Sequence, residues 1–277
     1  MPELPEVETT RRGLLPYATG RRLDGLRIRE HRLRWPVDPG VAGRVAGRDI
    51  TALERRGKYL IFRLSGDASL LLHLGMSGHV RVVALNTPVV AHDHVDFVLD
   101  SGVVLRFNDP RRFGSLHEAG ALPDEHPLLE RLGPEPLSDA FDGGHLWRIS
   151  RGRRVAVKNL IMDSHVVVGV GNIYAAEALH RSGIHPSRPA GRVSQQRYAQ
   201  LATDIKAVLG EAIEAGGTTL RDFARSDGLP GYFQQTLAVY GRAGEACHQC
   251  GRALKSIRLG QRATCLLYTS EAADDAF

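Results

Sequence analysis

The spacing of hydrophobic and polar positions changes character twice along the chain. Near the start, Leu4, Val7 and Leu14 fall on one side of a 3.6-residue repeat, which predicts a short helix from Pro5 to Leu15. Pro5 sits in its first turn, where a missing N–H is tolerated, and Pro16 is expected to close it. From Leu23 to Phe113 the apolar residues gather instead into short β-rich runs: Tyr59 to Leu64, Leu70 to Leu74, Val80 to Leu85, and Val95 to Leu99 facing Val103 to Phe107 across Ser101-Gly102. Short strands separated by turn signals predict a β-sandwich. Pro123 to Pro136 is rich in proline and loop formers and marks a domain boundary. Beyond it the helical period returns. A basic helix is expected from Arg153 to Met162 and another from Asn172 to His180. A third follows Ser194, with Tyr198, Leu201, Ile205, Val208, Leu209 and Ile213 on one face and Gly216-Gly217 as the stop. Val166 to Val170 reads as a strand feeding a glycine turn. The fold class is therefore α+β, with a β-sandwich domain before a helical one.

Charge adds a partner to this picture. Among 277 residues, 36 Lys and Arg against 31 Asp and Glu give a net charge of +5, and most of the base is arginine, which is suited to bidentate phosphate and guanine contacts. That favours a polyanionic partner. No apolar stretch is long enough to span a bilayer, so a cytoplasmic protein is expected. Three cysteines, two of them in a C-x-x-C pair, suit a metal or redox role better than a disulfide framework.

The chemistry concentrates at the N-terminus. Removal of Met1 would leave Pro2 with a free secondary amine, and α-amino groups titrate near pH 8, well below lysine. Such an amine attacks electrophilic carbon. Glu3 beside it could supply a proton to the atom leaving opposite the attack. Lys58, the only lysine of the N-terminal half, opens a strand after Arg55-Arg56-Gly57, as a proton donor or a phosphate contact. His92-Asp93-His94 with Asp96 has metal-ligand composition, but strand alternation implies no third ligand there. Asn108 to Gly114 carries Arg111, Arg112 and Phe113, the set from which a base-edge reader and an apolar wedge could be drawn. Gly169-Val170-Gly171-Asn172-Ile173-Tyr174 lacks the third glycine of a dinucleotide fingerprint, leaving a glycine turn whose helix N-terminus suits a phosphate.

Taken together, Met1 to Glu8, Arg56 to Leu60, His73 to Gly78, Asp109 to Gly114, Gly169 to Ala175 and Gly217 to Phe233 resemble the bacterial formamidopyrimidine-DNA glycosylases, collinearly from residue 1 to about 264. Leu4, within Pro-Glu-Leu-Pro-Glu, sets the chain apart from the related endonuclease VIII branch. The resemblance implies a catalytic β-sandwich domain (1–133), a helix-two-turn-helix DNA-binding domain (134–236), a zinc-ribbon-like hairpin (237–266) and an atypical tail (267–277). It implies a monomer that excises oxidised purines from damaged double-stranded DNA and then cuts the strand. Pro2 would attack C1′ of the flipped nucleotide while Glu3 assists opening of the sugar. Lys58 would serve β-elimination and Arg262 δ-elimination, the latter read as a phosphate clamp because a guanidinium is too weak an acid to donate. Met76, Arg111 and Phe113 would fill the hole left by the flipped base, Arg111 addressing the orphaned cytosine. Asn172 would hold phosphate, His92 and Arg153 would contact DNA, and Glu6, Thr218 and Tyr240 would shape the damaged-base pocket.

At the C-terminus the chain departs from the pattern. Cys247-His248-Gln249-Cys250 provides half of a zinc site, and a second pair after a spacer of about sixteen residues would fall on Leu267 and Ser270. Cys265 lies two positions early, and a closed structural site needs four ligands. A native ending replaced after about Thr264 is the expectation, with one Zn(2+) in the family and an incomplete ribbon here. Two other classes stay open: a non-catalytic DNA-binding protein on the same scaffold, and a nucleotide-binding enzyme built on Gly169 to Ala175.

Overall fold

A computed structural model describes residues 2–217 and 237–267. The chain forms two compact units, Met1–Arg131 with Ile213–Gln234, and Leu132–Ala212 with Gln235–Phe277. In chain order the elements are α1 (Leu4–Ala18), β1 (Arg21–Ile28), α2 (Val41–Val45), β2 (Arg48–Arg56), β3 (Tyr59–Leu64), β4 (Ala68–His73), β5 (His79–Ala84), β6 (Asp93–Leu99), β7 (Val103–Asn108) and β8 (Ser115–Ala119). The second unit carries α3 (Gly143–Ser150), α4 (Val157–Ile161), α5 (Asn172–Arg181), most of α6 (Gln195–Glu214), and the hairpin β9 (Lys255–Leu259) and β10 (Arg262–Leu266).

All eight strands of the first unit join one antiparallel sheet in the order β5-β7-β6-β1-β2-β3-β4-β8. The β1–β2 seam is short, running from Arg21↔Ile50 to Leu23↔Arg48. Phe62 on β3 and Phe97 on β6 are separated by two strands, which in a flat sheet would hold them roughly 14 Å apart. Their rings instead stack at 4.8 Å. The sheet is therefore folded over at the seam, and its two halves face each other as a sandwich. The core takes every second residue of the predicted runs: Leu60, Phe62 and Leu64, Leu70, Leu72 and Leu74, Val95, Phe97 and Leu99, and Leu105 with Phe107. Each such side chain contributes about 1.5–3 kcal/mol by leaving water. On the opposite face, Arg106 forms a two-pronged pair with Asp96 at 2.8 and 3.0 Å, so this buried charge is neutralised where it stands.

Three expectations are corrected. Pro16 does not close α1, which runs on to Ala18; a proline in the last turn loses one N–H bond while Thr19 N–H still reaches the Leu15 carbonyl at 3.2 Å. Val166 to Val170 is no strand. It is a buried turn in which Val166 and Val167 N–H return to the Asp163 carbonyl and Val168 N–H goes to Pro134. The basic helix from Arg153 shrinks to Val157–Ile161, because Ala156 bridges Pro189 and Val155 accepts from Ala190 N–H, which holds that stretch extended. Strands β1 and β2 carried no clear run because each contains a bulge, between Leu23 and Gly25 and between Ile50 and Ala52, that breaks the two-residue period.

In the second unit the hairpin is docked through side chains. The buried Lys158 of α4 donates to Thr264 Oγ1 at 2.7 Å, and Asn172 Nδ2, at the start of α5, donates to the Ala263 carbonyl at 3.2 Å. The Glu177 carboxylate on α5 accepts the N–H groups of Ala238, Val239 and Tyr240 at 2.8, 3.0 and 2.8 Å, fixing the strand of chain that leads into the hairpin.

Candidate active site

The N-terminus is held rather than frayed. Pro2 and Glu3 are buried, and Glu3 caps α1 in a reciprocal box with Glu6, whose Oε2 accepts Glu3 N–H at 2.8 Å. Val7 and Leu14 anchor the helix in the sandwich core. Glu6 is wholly buried, and Gly217 lies against it in left-handed geometry (φ +82°), where a Cβ would come within 3.3 Å of Glu6 Oε1. Thr218, the next residue and a predicted pocket member, lies outside the described residues.

Lys58 follows Gly57 in a two-residue turn between β2 and β3, Gly57 taking the positive φ (+56°) that hairpin turns require at their first central position. One chain of charges ties this turn to α1. Glu8 Oε2 accepts from Arg55 Nε at 3.0 Å, and Arg55 Nη1 donates to the Gly57 carbonyl at 3.0 Å. Burial pushes the Glu8 carboxyl up, but hydrogen bonds and charge from Arg11, Arg55 and Arg12 reverse this and hold it at about 2. Neither Glu8 nor Arg55 was singled out by sequence. Nor was His73 given a role, although it lies in a recognised motif. It pairs with Tyr59 across β3 and β4, the rings 4.8 Å apart. Burial, followed by the charges of Lys58 and Arg34 and by His117, drives its pKa down to about 3. Gly75 N–H donates to Nδ1 at 3.0 Å, which leaves the proton of the neutral ring on Nε2.

Met76, Arg111 and Phe113 come from two loops far apart in sequence, and the fold joins those loops back to back. Gly75 (φ +71°) and Gly114 make the approach possible, since a Cβ on Gly75 would stand 2.4 Å from Gly114 N. Met76 is half-buried, Arg111 is exposed, and Phe113 is 42% exposed with the Arg111 guanidinium 5.1 Å from its ring centre. An exposed phenylalanine stacked under an arginine is displayed rather than packed away. Beside it, His92 is exposed with φ +70° and accepts Asp109 N–H through its carbonyl at 3.0 Å, while His94 is buried with Nε2 2.9 Å from the Asp109 carbonyl. The carboxylates of this stretch are committed elsewhere, Asp93 to Arg81, Asn108 and Val90 N–H, and Asp96 to Arg29 and Arg106.

In the second unit, Arg262 opens β10 as an exposed residue opposite Leu259, and Arg153 is exposed in the turn after α3. Tyr240 packs against the small cluster of Ala176, Val239, Cys247, Leu254 and Cys265. Cys247 is buried and Cys250 exposed, and neither is in a disulfide. Hydrogen bonds from Gln249 N–H, Cys250 N–H and the Cys250 thiol converge on Cys247 and hold its thiol below the usual range. Cys265 lies in the ladder opposite Ser256, and the described residues contain no group of three or more His, Cys, Asp or Glu placed to hold a metal ion. The described residues alone do not assemble the four ligands of a closed zinc site.

Residues 1–116 match the formamidopyrimidine-DNA glycosylase N-terminal domain and residues 132–224 the H2TH domain of the same enzymes. Curated formamidopyrimidine-DNA glycosylases from Alkalilimnicola ehrlichii and Alcanivorax borkumensis are 58% and 60% identical over 270 and 267 residues, in each case covering 95% of this chain and 97% of the relative. Among solved structures, the MutM (Fpg) protein of Thermus thermophilus superimposes with a TM-score of 0.87 at 40% identity, covering 97% of this chain and 98% of that one. The Lactococcus lactis Fpg in complex with abasic-site DNA does so with a TM-score of 0.90 at 31% identity, covering 97% and 99%. The chain belongs to the formamidopyrimidine-DNA glycosylase family.

Proposed function

We propose that this chain is a bifunctional DNA glycosylase and abasic-site lyase of base excision repair that removes 8-oxoguanine and formamidopyrimidines from double-stranded DNA. The observation that carries the reading is the N-terminus itself, a buried Pro2 beside a buried Glu3 at the head of a capped and packed helix. Once Met1 is removed, the lone pair of the Pro2 nitrogen bonds to C1′ of the flipped nucleotide. The bond from C1′ to the base breaks, the base leaving with the proton that the Pro2 nitrogen sheds, and Glu3 delivers a proton to the sugar oxygen as the ring opens to an iminium ion. Loss of a C2′ proton then expels the 3′ phosphate, and a second elimination expels the 5′ phosphate. Lys58 serves the first elimination, and Arg262 steadies the leaving phosphate of the second. Extrusion of the nucleotide costs a few kcal/mol of stacking and pairing; Met76, Arg111 and Phe113 offset it by filling the gap. Asn172 holds phosphate, His92 and Arg153 contact the duplex, and Glu6, Thr218 and Tyr240 border the damaged base.

Residues 1–133 serve as the catalytic domain, 134–236 as the DNA-binding domain and 237–266 as the ribbon-like hairpin, in a monomer working on DNA in the cytoplasm. Among the described residues no helix is long and apolar enough to cross a membrane. In the family's ribbon, zinc supplies folding energy to the hairpin; here Cys247 and Cys250 are the two ligands on offer, and no catalytic step runs through the metal.

The test is borohydride trapping on a duplex bearing 8-oxoguanine opposite cytosine, with Pro2→Gly alongside. A covalent adduct with the parent chain and none with the variant is expected. Adduct formation by Pro2→Gly at the parent rate would refute the amine mechanism, and binding without any adduct would favour a non-catalytic DNA-binding protein.

A further inference from the structure

We infer that Asp109 is the positioning residue that sets the Met76 loop and the Arg111–Phe113 loop as one rigid unit, and through them the preference for cytosine opposite the lesion. This rests on the reading of Arg111 and Phe113 given above. Asp109 is fully buried, and its two carboxylate oxygens are divided between the loops. Oδ1 accepts from Ser77 Oγ at 2.6 Å, next to Met76, and Oδ2 accepts from Gly114 N–H at 2.7 Å, next to Phe113. Ser77 Oγ in turn accepts Arg111 N–H at 3.2 Å. Met76, Arg111 and Phe113 are thus each one covalent step, or one hydrogen bond, from a group bonded to the same carboxylate.

The backbone of Asp109 is held as well, its N–H by the His92 carbonyl and its carbonyl by His94 Nε2. The hub therefore has little freedom to follow the loops. An asparagine could accept from only one of the two donors, because its other terminal atom is an NH2 group. A carboxylate is required where one side chain must receive an O–H on one side and an N–H on the other. Burying a carboxylate is costly, and the hydrogen bonds that offset the cost also fix its neighbours in place. The demand here is angular. Arg111 must meet the edge of an orphaned base and Phe113 must enter the stack, and a misplacement of about 1 Å can cost on the order of 100-fold in rate.

The test compares Asp109→Asn and Ser77→Ala with the parent chain, after urea unfolding has identified which variants are folded. Single-turnover excision of 8-oxoguanine is measured opposite cytosine and opposite adenine, together with cleavage of a preformed abasic site in single-stranded DNA, which offers neither an opposite base nor a stack. Excision opposite cytosine is expected to fall about 10- to 100-fold, the cytosine-to-adenine ratio to move toward one, and single-strand cleavage to stay within about twofold. Should Asp109→Asn not fold, Ser77→Ala removes the Oδ1 arm together with the Arg111 N–H bond to Ser77 Oγ, leaves Oδ2 on Gly114 N–H, and carries the same expectation for the ratio. An unchanged ratio in a folded variant, or equal losses on all three substrates, would overturn the inference. Inactivity of the parent chain on 8-oxoguanine would instead refute the proposed function, so the two failures are distinguishable.

Discussion

The charge on Glu8 does more than stabilise one helix. Its carboxylate gathers Arg11 and Arg12 from its own helix and Arg55 from the end of β2, and Arg55 passes the restraint to the Gly57 carbonyl beside Lys58. The helix that presents Pro2 and the turn that presents Lys58 are thereby joined through two side chains, both mostly shielded from water. Arg55→Met keeps the aliphatic stem and removes the charge-assisted bonds. It is expected to lower stability by about 2 kcal/mol, read from the urea midpoint, and to slow cleavage of a preformed abasic site about 10-fold with DNA affinity unchanged. A cleavage rate equal to the parent's would mean that the turn holds Lys58 without this tie.

The β9–β10 hairpin forms a two-stranded sheet of its own. Its ladder spans five residue pairs, from Arg262↔Leu259 to Leu266↔Lys255, and isolated two-stranded hairpins are marginal in water. Here Lys158, Asn172 and the three N–H groups held by Glu177 take on part of what a closed zinc site contributes elsewhere, on the order of 10 kcal/mol in small metal-dependent modules. Protein purified without added metal is expected to contain well under one zinc per chain, with DNA affinity that changes little on treatment with a chelator. Elemental analysis giving one tightly held zinc per chain would show that Cys247 and Cys250 recruit further ligands despite the present placement of Cys265.

For the whole molecule the partly buried histidines set the response to acid. Burial lowers His73 to about 3, and burial is also the leading cause for the lowered His79, His117, His126 and His180. In the unfolded chain a histidine takes its proton near pH 6.5, so between that value and the folded pKa the unfolded state binds more protons. The stability these groups contribute is complete above about pH 6.5 and is lost as the pH falls below it. Glu8 acts in the same direction lower down, losing its contribution between its ordinary 4.5 and about 2. The urea midpoint is therefore expected to be level above pH 7 and to drop steeply by pH 5, with His73 alone supplying up to about 1.4 kcal/mol per pH unit below 6. His73→Gln should show a visibly shallower slope, and equal slopes for parent and variant would place the acid response in other groups.

Much of this protein is decided locally and can be read along the chain. Helix α1 and its buried apolar side follow from a 3.6-residue period, and β3 to β7 from apolar runs between turn residues, because helix and strand periods are properties of a few consecutive residues. Pro2, Glu3 and Lys58 are candidates in the sequence because a secondary amine, an adjacent carboxyl and the one lysine of the N-terminal half fall within collinear motifs that resemble one family. What required the tertiary structure is whatever depends on two distant segments meeting. The bulged β1 and β2 hide their period, yet they form the seam on which the sheet folds and brings Phe62 onto Phe97. In the sequence Asp109 is one turn residue among several, whereas in the fold Ser77 and Gly114 sit on its two oxygens. His73 owes its neutrality to burial and to Lys58, Arg34 and His117, and Arg55 its importance to Glu8 and Gly57. Hydrogen bonds act over a few ångströms and screened charges over about 10 Å, and both are blind to separation along the chain, so pattern reveals the elements and the candidate groups, and only the fold reveals what holds them in register.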